Sequence, residues 1–483
     1  MATLEPGSDL WWLSRLSTAL AHRSKHVRCM NDWRDGNPPL PYPDNDDDAR
    51  PAFERLQRVA RINIAGLIVN ARLSRMQLAG VTTALDDSAN GDDMIATIIQ
   101  EQDLHAKLGS AFEDMLTSGI GYLVATSSGV MYSSPLNTIT EQDQHGKTVA
   151  ALTTYYDAYT NENVMLLARP GYTREARSNG TSGMVLPNYI VATDLNDYTH
   201  MPVRWAFRTT DWELGEPTRT GLDTVPVYSF EYGNGLIAKH LPGLERLNHR
   251  VLQGLIIVAF QSFRARAITG VPVADDNGNP IDYNELFQSA PDSLMLLPDG
   301  ASIWESSQAD LTPLSSAIKD DIRILAVQSE TPLFMISPDD ANGSAEGATA
   351  QREILIFNIE RITRAITGNI KQLFSDLLTM QGETERANPQ KMRVLWLNPR
   401  RSSISERAAA AQQATNAGVP FRMMLEKFAE FTPDEVEAAI RERATEQLYA
   451  SLNTGDQPTS PDWATTEPAE EETLDTSEPD EAL

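Results

Sequence analysis

The chain has 483 residues, 41% of them hydrophobic and 22% charged, with a formal net charge of −27. That length allows roughly two to four domains with ample core. The composition excludes a wholly disordered chain, and the acidic balance argues against a broad basic face that grips nucleic acid.

The single cysteine, Cys29, excludes an intramolecular disulfide or a multi-cysteine zinc cage within one chain, and fits a free thiol in a reducing cytoplasm. No secretory signal is expected, because residues 1–9 are acidic and no apolar core follows them. The most apolar run, 252–263, is broken by Gln253, Gln261 and Ser262, too short for a membrane span and better read as a buried helix.

In chain order, 10–31 reads as a helix with Trp11, Trp12, Leu16 and Leu20 on one side. His22 and His26 stand four apart on it, but two basic neighbours and no acid between them argue against a metal. Gly36-Asn-Pro-Pro-Leu-Pro-Tyr-Pro43 ends regular structure. The acids Asp44, Asp46, Asp47 and Asp48 then lack the glycine and the closing glutamate of a calcium loop. Helical periods return over 51–78, with Arg61 and Arg72 assigned to the polar faces, and over 94–118. Gly119-Ile-Gly121 is read as a helix stop and a tight turn into the strand 122–126.

From 122 to 230 the chain changes to short β-rich runs (148–156, 164–168, 189–193, 225–230) broken by Gly, Pro, Asn and Asp, with a mobile tip expected at 179–183. This predicts an antiparallel sheet region between helical blocks, hence an α+β chain.

The central stretch reads as helix, excursion, helix, loop, helix. The first helix is expected over 241–269 and the second over 314–329, with Leu314, Ile318, Ile322 and Leu325 on one face. The excursion 271–311 holds a hairpin-like turn at Asp275-Asp276-Asn277-Gly278 and short strands at 293–298 and 301–304. The loop 337–347 carries Asp339, Asp340, Asn342, Ser344 and Glu346, with Gly343 and Gly347 giving it freedom. The third helix is expected over 351–380.

A strand at 391–397 and helices at 403–416, 421–431 and 433–451 follow. Ser403 with Glu406 forms one capping box, and Thr432 with Pro433 and Glu435 caps the last helix. Residues 453–483 hold ten acids, four prolines and no Lys or Arg, a composition that predicts disorder.

No catalytic constellation survives inspection. Gly233-Asn-Gly-Leu-Ile-Ala-Lys-His240 places alanine before and histidine after the lysine, so it departs from a phosphate loop. Asp320 and Asp321 are neighbours on a helix and point in different directions, as ordinary solvated charges do. The acidic loop 337–347 has two readings. It is a solvated connection, or, if copies form a ring with it inward, it lines a pore whose carboxylates repel phosphate and let DNA slide.

Several features occur together in order. They are Trp33-Arg-Asp-Gly-Asn-Pro-Pro-Leu-Pro, the helix following Arg61-Ile-Asn63, the run into Gly119-Ile-Gly-Tyr-Leu-Val, and Val225-Pro-Val with Gly233-Asn-Gly ahead of the central helices. This set resembles the portal proteins of siphophage type over about 10–448; it departs from them in Trp33, where a tyrosine is common, and in the acids 44–48. The resemblance implies an α+β portal-type fold with helical stem, small α/β clip, β-rich wing and helical crown, assembling as a ring, typically a dodecamer. Residues 1–240 would be N-terminal helices and wing, 241–270 the first stem helix, 271–312 the clip and 313–335 the second stem helix. The tunnel loop would be 336–350, the long wing helix and strand 351–400, the crown 401–452 and the acidic tail 453–483.

The resemblance makes Asp339, Asp340, Asn342, Ser344 and Glu346 the DNA-channel residues. It makes Lys319 and Arg323 candidates for facing the lumen, or for structural pairing with Asp320 or a neighbouring subunit's acid. Asp275, Asp276, Asn277, Tyr283 and Trp304 become candidates for partner docking. The implied partners are double-stranded DNA, the terminase large subunit, a head-completion or adaptor protein, and the major capsid and scaffolding proteins, with no membrane, cofactor or metal. The implied location is the capsid vertex of the virion, and the host cytoplasm during assembly. The alternative is another structural virion component, a minor head or adaptor protein, without a DNA channel.

Overall fold

The computed structural model describes residues 5–42, 50–86, 88, 91–178, 207, 212–262, 266–270, 274, 300, 302–305, 309–336, 345–400, 404–431 and 433–453. The chain divides into two compact units, Met1–Arg401 and Ser402–Leu483.

The first unit is mixed helix and sheet. Helix α1 (Asp9–Arg34) is capped by Ser8, whose hydroxyl accepts from the Trp11 amide, and buries Leu13, Leu16, Leu20, Val27, Met30 and Trp33 at helical spacing. The helix expected over 51–78 is two helices, α2 (Arg50–Val59) and α3 (Ile64–Leu73), followed by strand β1 (Leu78–Thr82). Asn63 makes the second start: its side chain accepts from the Gly66 amide at 2.8 Å and donates to the Arg34 carbonyl at the end of α1. The four-residue break advances the chain by nearly one turn, so the apolar residues keep their phase and hide it. The helix expected over 94–118 is likewise α4 (Asp93–Glu101) and α5 (Leu104–Ser118), separated at Asp103, whose φ is +48°.

Helix α5 stops at Gly119 and turns into β2 (Ile120–Thr126), as the two glycines predict. Gly121 has a second reason to be glycine: a Cβ there would stand 1.8 Å from the Ala111 carbonyl oxygen. Strands β3 (Gly129–Ser133), β4 (Thr138–Gln142), β5 (Thr148–Asp157), β6 (Glu162–Arg169), β7 (Tyr172–Ser178), β8 (Trp212–Leu214), β9 (Thr218–Arg219) and β10 (Val227–Glu231) follow. They form antiparallel sheets in the orders β10-β2-β3 and β4-β5-β6-β7-β8, with β9 also on β7. The expected run 189–193 and tip 179–183 lie outside the described residues.

Strand alternation stacks these sheets. Ala150, Leu152, Met165 and Leu167 meet the first half of α1, and Ala151 and Ala168 on the reverse face meet Tyr122, Val124 and Val227. The intervening residues Leu123, Ala125, Tyr228 and Phe230 join the main helical core, where Phe230 packs edge-on against Phe112 of α5.

After β10 come α6 (Leu241–Ser262), β11 (Arg266–Thr269), β12 (Ser302–Glu305), α7 (Thr312–Gln328), the single turn α8 (Leu333–Ile336), α9 (Ala345–Met380) and β13 (Arg393–Trp396). The first central helix is therefore shorter than the expected 241–269, because 266–269 is taken into an antiparallel pair with β12. The long helix begins earlier than 351, since Ala345-Glu-Gly-Ala-Thr-Ala350 continues it through favourable alanines. Over 36 residues α9 buries Leu355, Ile359, Ile362, Ile366, Ile370, Leu373 and Leu377, with Phe374 and Leu378 beside them. Each such side chain contributes about 2 kcal/mol of burial. Strand β13 pairs with β1.

The second unit holds α10 (Ile404–Asn416), α11 (Phe421–Lys427) and α12 (Pro433–Asn453) around a small core of Ala414, Met424, Leu425, Ala429 and Val436. Arg443 lies over the Phe421 ring, 3.9 Å from its centre. Ser403, Thr432, the acids 44–48 and the tail from 454 onward lie outside the described residues.

Candidate functional site

The two middle helices form an antiparallel hairpin, shown by where they touch. Gly243 of α6 meets Leu325 of α7, Arg246 and Arg250 meet Asp321, Arg250 meets the Ala317 carbonyl, and Gly254 meets Leu314. Glycine at 243 and 254 lets the side chains of α7 approach the α6 backbone; a Cβ at 243 would come 2.7 Å from a Leu325 methyl. The β11–β12 pair closes the far end, with Arg266 opposite Glu305 and Thr269 opposite Ser302.

Asp321 corrects the sequence reading, which left it solvated beside Asp320. It is 1% exposed, and accepts from Arg246 Nε at 2.9 Å with Arg250 Nη1 at 2.8 Å from its other oxygen. Only the tertiary partner decides between two adjacent acids, because their side chains leave the helix about 100° apart. Asp320 stays exposed and pairs with Arg323 at 3.4 Å.

Lys319 and Arg323 lie on the side of α7 turned away from α6, both exposed, as the helical angle from Asp321 requires. Val327 shares that open side, 78% exposed, and Ile324, 44% exposed, lies at the flank of the α6 contact. Trp304 is 59% exposed on β12. The other docking candidates, Asp275, Asp276, Asn277 and Tyr283, lie outside the described residues, as do Asp339, Asp340, Asn342 and Ser344. Glu346 and Gly347, expected in the loop, stand in the first turn of α9.

Buried polar groups that sequence reasoning missed join the helices to the sheets. Arg72, assigned to a polar face, is 1% exposed; its signal is a lone cation in the largely apolar run Ile64-Ala-Gly-Leu-Ile-Val-Asn-Ala-Arg-Leu73. Asp376 of α9 accepts from Tyr228 Oη and Thr224 Oγ1, and burial pushes its carboxyl up. Asp114 of α5 accepts from Tyr132 Oη, and burial raises it to about 6, against the opposing Tyr132 bond and Arg34. Cys29 is half-buried, and its thiol is pushed up by burial and by Asp32 and Glu245.

The glycines at 233 and 235 build a splice to α5, not a phosphate cradle: Tyr232 N donates to Gly119 O and Leu236 N to Leu116 O. A cavity of about 350 Å³ lies beside α9, lined in part by Arg75, Thr363, Arg364, Trp396 and Asn398. Among the described residues no group of three His, Cys, Asp or Glu is placed to hold a metal, and no helix is long and apolar enough to cross a membrane.

No family model and no curated protein matches the chain. Among solved structures it is similar to a chain of the neck of an empty GTA particle computed with C6 symmetry, at a TM-score of 0.46 and 12% identity, over 80% of this chain and 95% of that one.

Proposed function

We propose that the chain is a portal subunit. Its copies close into a ring, of dodecameric kind, at one vertex of a phage capsid, and double-stranded DNA enters and leaves through the centre. The role is non-enzymatic and uses no cofactor. The observation that carries the reading is the central hairpin: α6 and α7 antiparallel, a β pair at the far end, and the long α9 shortly after its base. The 22 residues of α6 make a rod of about 33 Å at 1.5 Å per residue, long enough to line a channel when repeated around an axis.

In this role α6 and α7 are the stem, and the region 271–312, with Trp304 exposed on it, docks the terminase large subunit and later a head-completion or adaptor protein. The capsid and scaffolding proteins surround the ring in the virion, after assembly in the host cytoplasm. The acids Asp339, Asp340 and Glu346 face the pore and keep phosphates from adhering, within a screening length of about 8 Å.

Mass photometry and negative-stain microscopy of the purified chain test this. Large rings with a central hole are expected; persistent monomers or dimers at high concentration overturn it in favour of a virion component without a channel. Reversing Asp339→Lys with Asp340→Lys is expected to leave rings intact and to impair DNA packaging; normal packaging by that double variant removes the sliding role.

A further inference from the structure

The C-terminal end of α7 is built unlike an ordinary helix stop. Thr331 N donates to Ala326 O and Glu330 N to Val327 O, the paired bonds of a Schellman motif whose left-handed position is usually glycine. Here that position is Glu330, with φ +52°. A glutamate in this region costs about 1 kcal/mol relative to glycine, and such residues persist where their surroundings over-determine them.

Two sets of contacts do so. From α3, the fully buried Arg72 reaches the carbonyls that the helix end leaves over: Nη2 donates to Ser329 O and, at 3.4 Å, to Glu330 O. Nη1 donates to Thr331 Oγ1 at 3.1 Å and back to Ile68 O at 3.0 Å. Among the described residues no carboxylate pairs with this guanidinium, and its Nε has no partner. The carbonyl end of α7, with its partial negative charge, stands in for a counter-ion.

From α9, Asn358 donates to the Glu330 carboxylate and accepts from Arg361 Nη2 at 2.7 Å, which also reaches Tyr232 Oη at 3.3 Å. His240, held below its ordinary value by burial and then by Arg72 and Lys239, is opposed by Glu330 alone. Glu330 thus ties the corner to α9 through Asn358, which Arg361 holds in turn.

We propose that this corner is a latch. Arg72 caps α7 from across the fold, Glu330 ties the same corner to α9, and α7 leaves its present angle only when both contacts open together. A cap supplied by another element, on a backbone that resists its own residue, holds strongly while assembled and releases as a unit. The geometry stands by itself; its purpose rests on the channel reading, under which the latch fixes the direction in which the chain leaves the stem towards 337–344.

Amide hydrogen exchange on the full-length chain tests it. Arg72→Met and Glu330→Gln are each expected to speed exchange over 326–336 by tenfold or more, while amides of β5 and β6 keep the wild-type rate. Glu330→Gly separates strain from tie: it relieves the backbone and removes the carboxylate, and the latch requires faster exchange there too. Slower exchange in Glu330→Gly identifies a merely strained helix stop and overturns the proposal. So does unchanged exchange at 326–336 in the first two variants, or an equal acceleration through the α5–β2 core. If Arg72→Met fails to fold, the Glu330 variants decide, because that residue is exposed. Mass photometry on the same samples keeps the two readings apart. Rings whose corner exchanges no faster in the variants remove the latch alone, and a corner that the variants loosen, in a chain whose wild type forms no rings, removes the channel alone.

Discussion

The joint between α5 and β2 and the hairpin of α6 and α7 both depend on glycine, yet they are different kinds of contact. At Gly121 the neighbour is the backbone of Ala111, which cannot turn aside; at Gly243 it is the end of the Leu325 side chain, which can rotate. The buried acids differ in the same way. Asp114 in the joint has a neutral hydroxyl as its hydrogen-bond partner and an arginine 4.0 Å away, whereas Asp321 in the hairpin is held by two arginines that are themselves 45% and 33% exposed. The body is locked by backbone and burial. The hairpin is held by side chains that can be rearranged.

Substitution separates the two regions by size of effect. Gly121→Ala is expected to be the most damaging, at about 4 kcal/mol or more, since only a backbone shift relieves the clash. Thermal unfolding checks it, and melting within a few degrees of wild type would show that the joint yields. Next comes pH. The Asp114 carboxyl is raised from 3.8 to about 6 in the folded chain, so its proton favours the fold. That stability is complete below pH 4 and is lost as pH rises through 6, by on the order of 3 kcal/mol. Asp114→Asn is expected to flatten the melting temperature between pH 4 and 6, measured against wild type in the same buffers.

In the hairpin, Asp321→Asn leaves two arginines without a counter-charge. Removing one partner of a buried pair costs about 3–5 kcal/mol, reduced here to about 2 because both cations reach solvent. The loss should shrink in high salt, and a salt-independent loss would argue for packing instead. Gly243→Ala should be nearly neutral, because the gain in helix propensity of about 1 kcal/mol offsets the displacement of one methyl. A loss as large as that of Gly121→Ala would erase the distinction between the regions.

What the chain disclosed beforehand follows the same physics. The helical period of α7 and α9 was legible because burial on one face repeats along the helix, and the turn at Gly119 because glycine marks it. The breaks at 60–63 and 102–103 were not, since a gap of about one turn or less leaves the period almost unbroken. Arg72 and Asp321 were misread for a common reason. A charge on a helix is buried or solvated according to what another element brings to it, and that element lies 257 and 75 positions away for the contacts Arg72–Ser329 and Arg246–Asp321. The acidic stretch at 339–340 stands out by composition alone, and the channel role proposed for it depends on ring assembly.

Helix α1 lies in two cores at once: Leu13, Leu16 and Leu20 pack with the six-stranded sheet, and Met30 and Trp33 with the helices around α9. It is synthesised before either partner exists. The residues packed with its first half run to Phe207 and to Leu214 of β8, and the core that closes on its second half is complete only after Met392 has been made. A growing chain therefore carries a helix whose apolar residues have no finished place to dock for most of its translation, and such sequence-distant pairing is intrinsically slow. While it is being made, the chain is then most exposed to aggregation at α1, whose apolar residues wait for both cores.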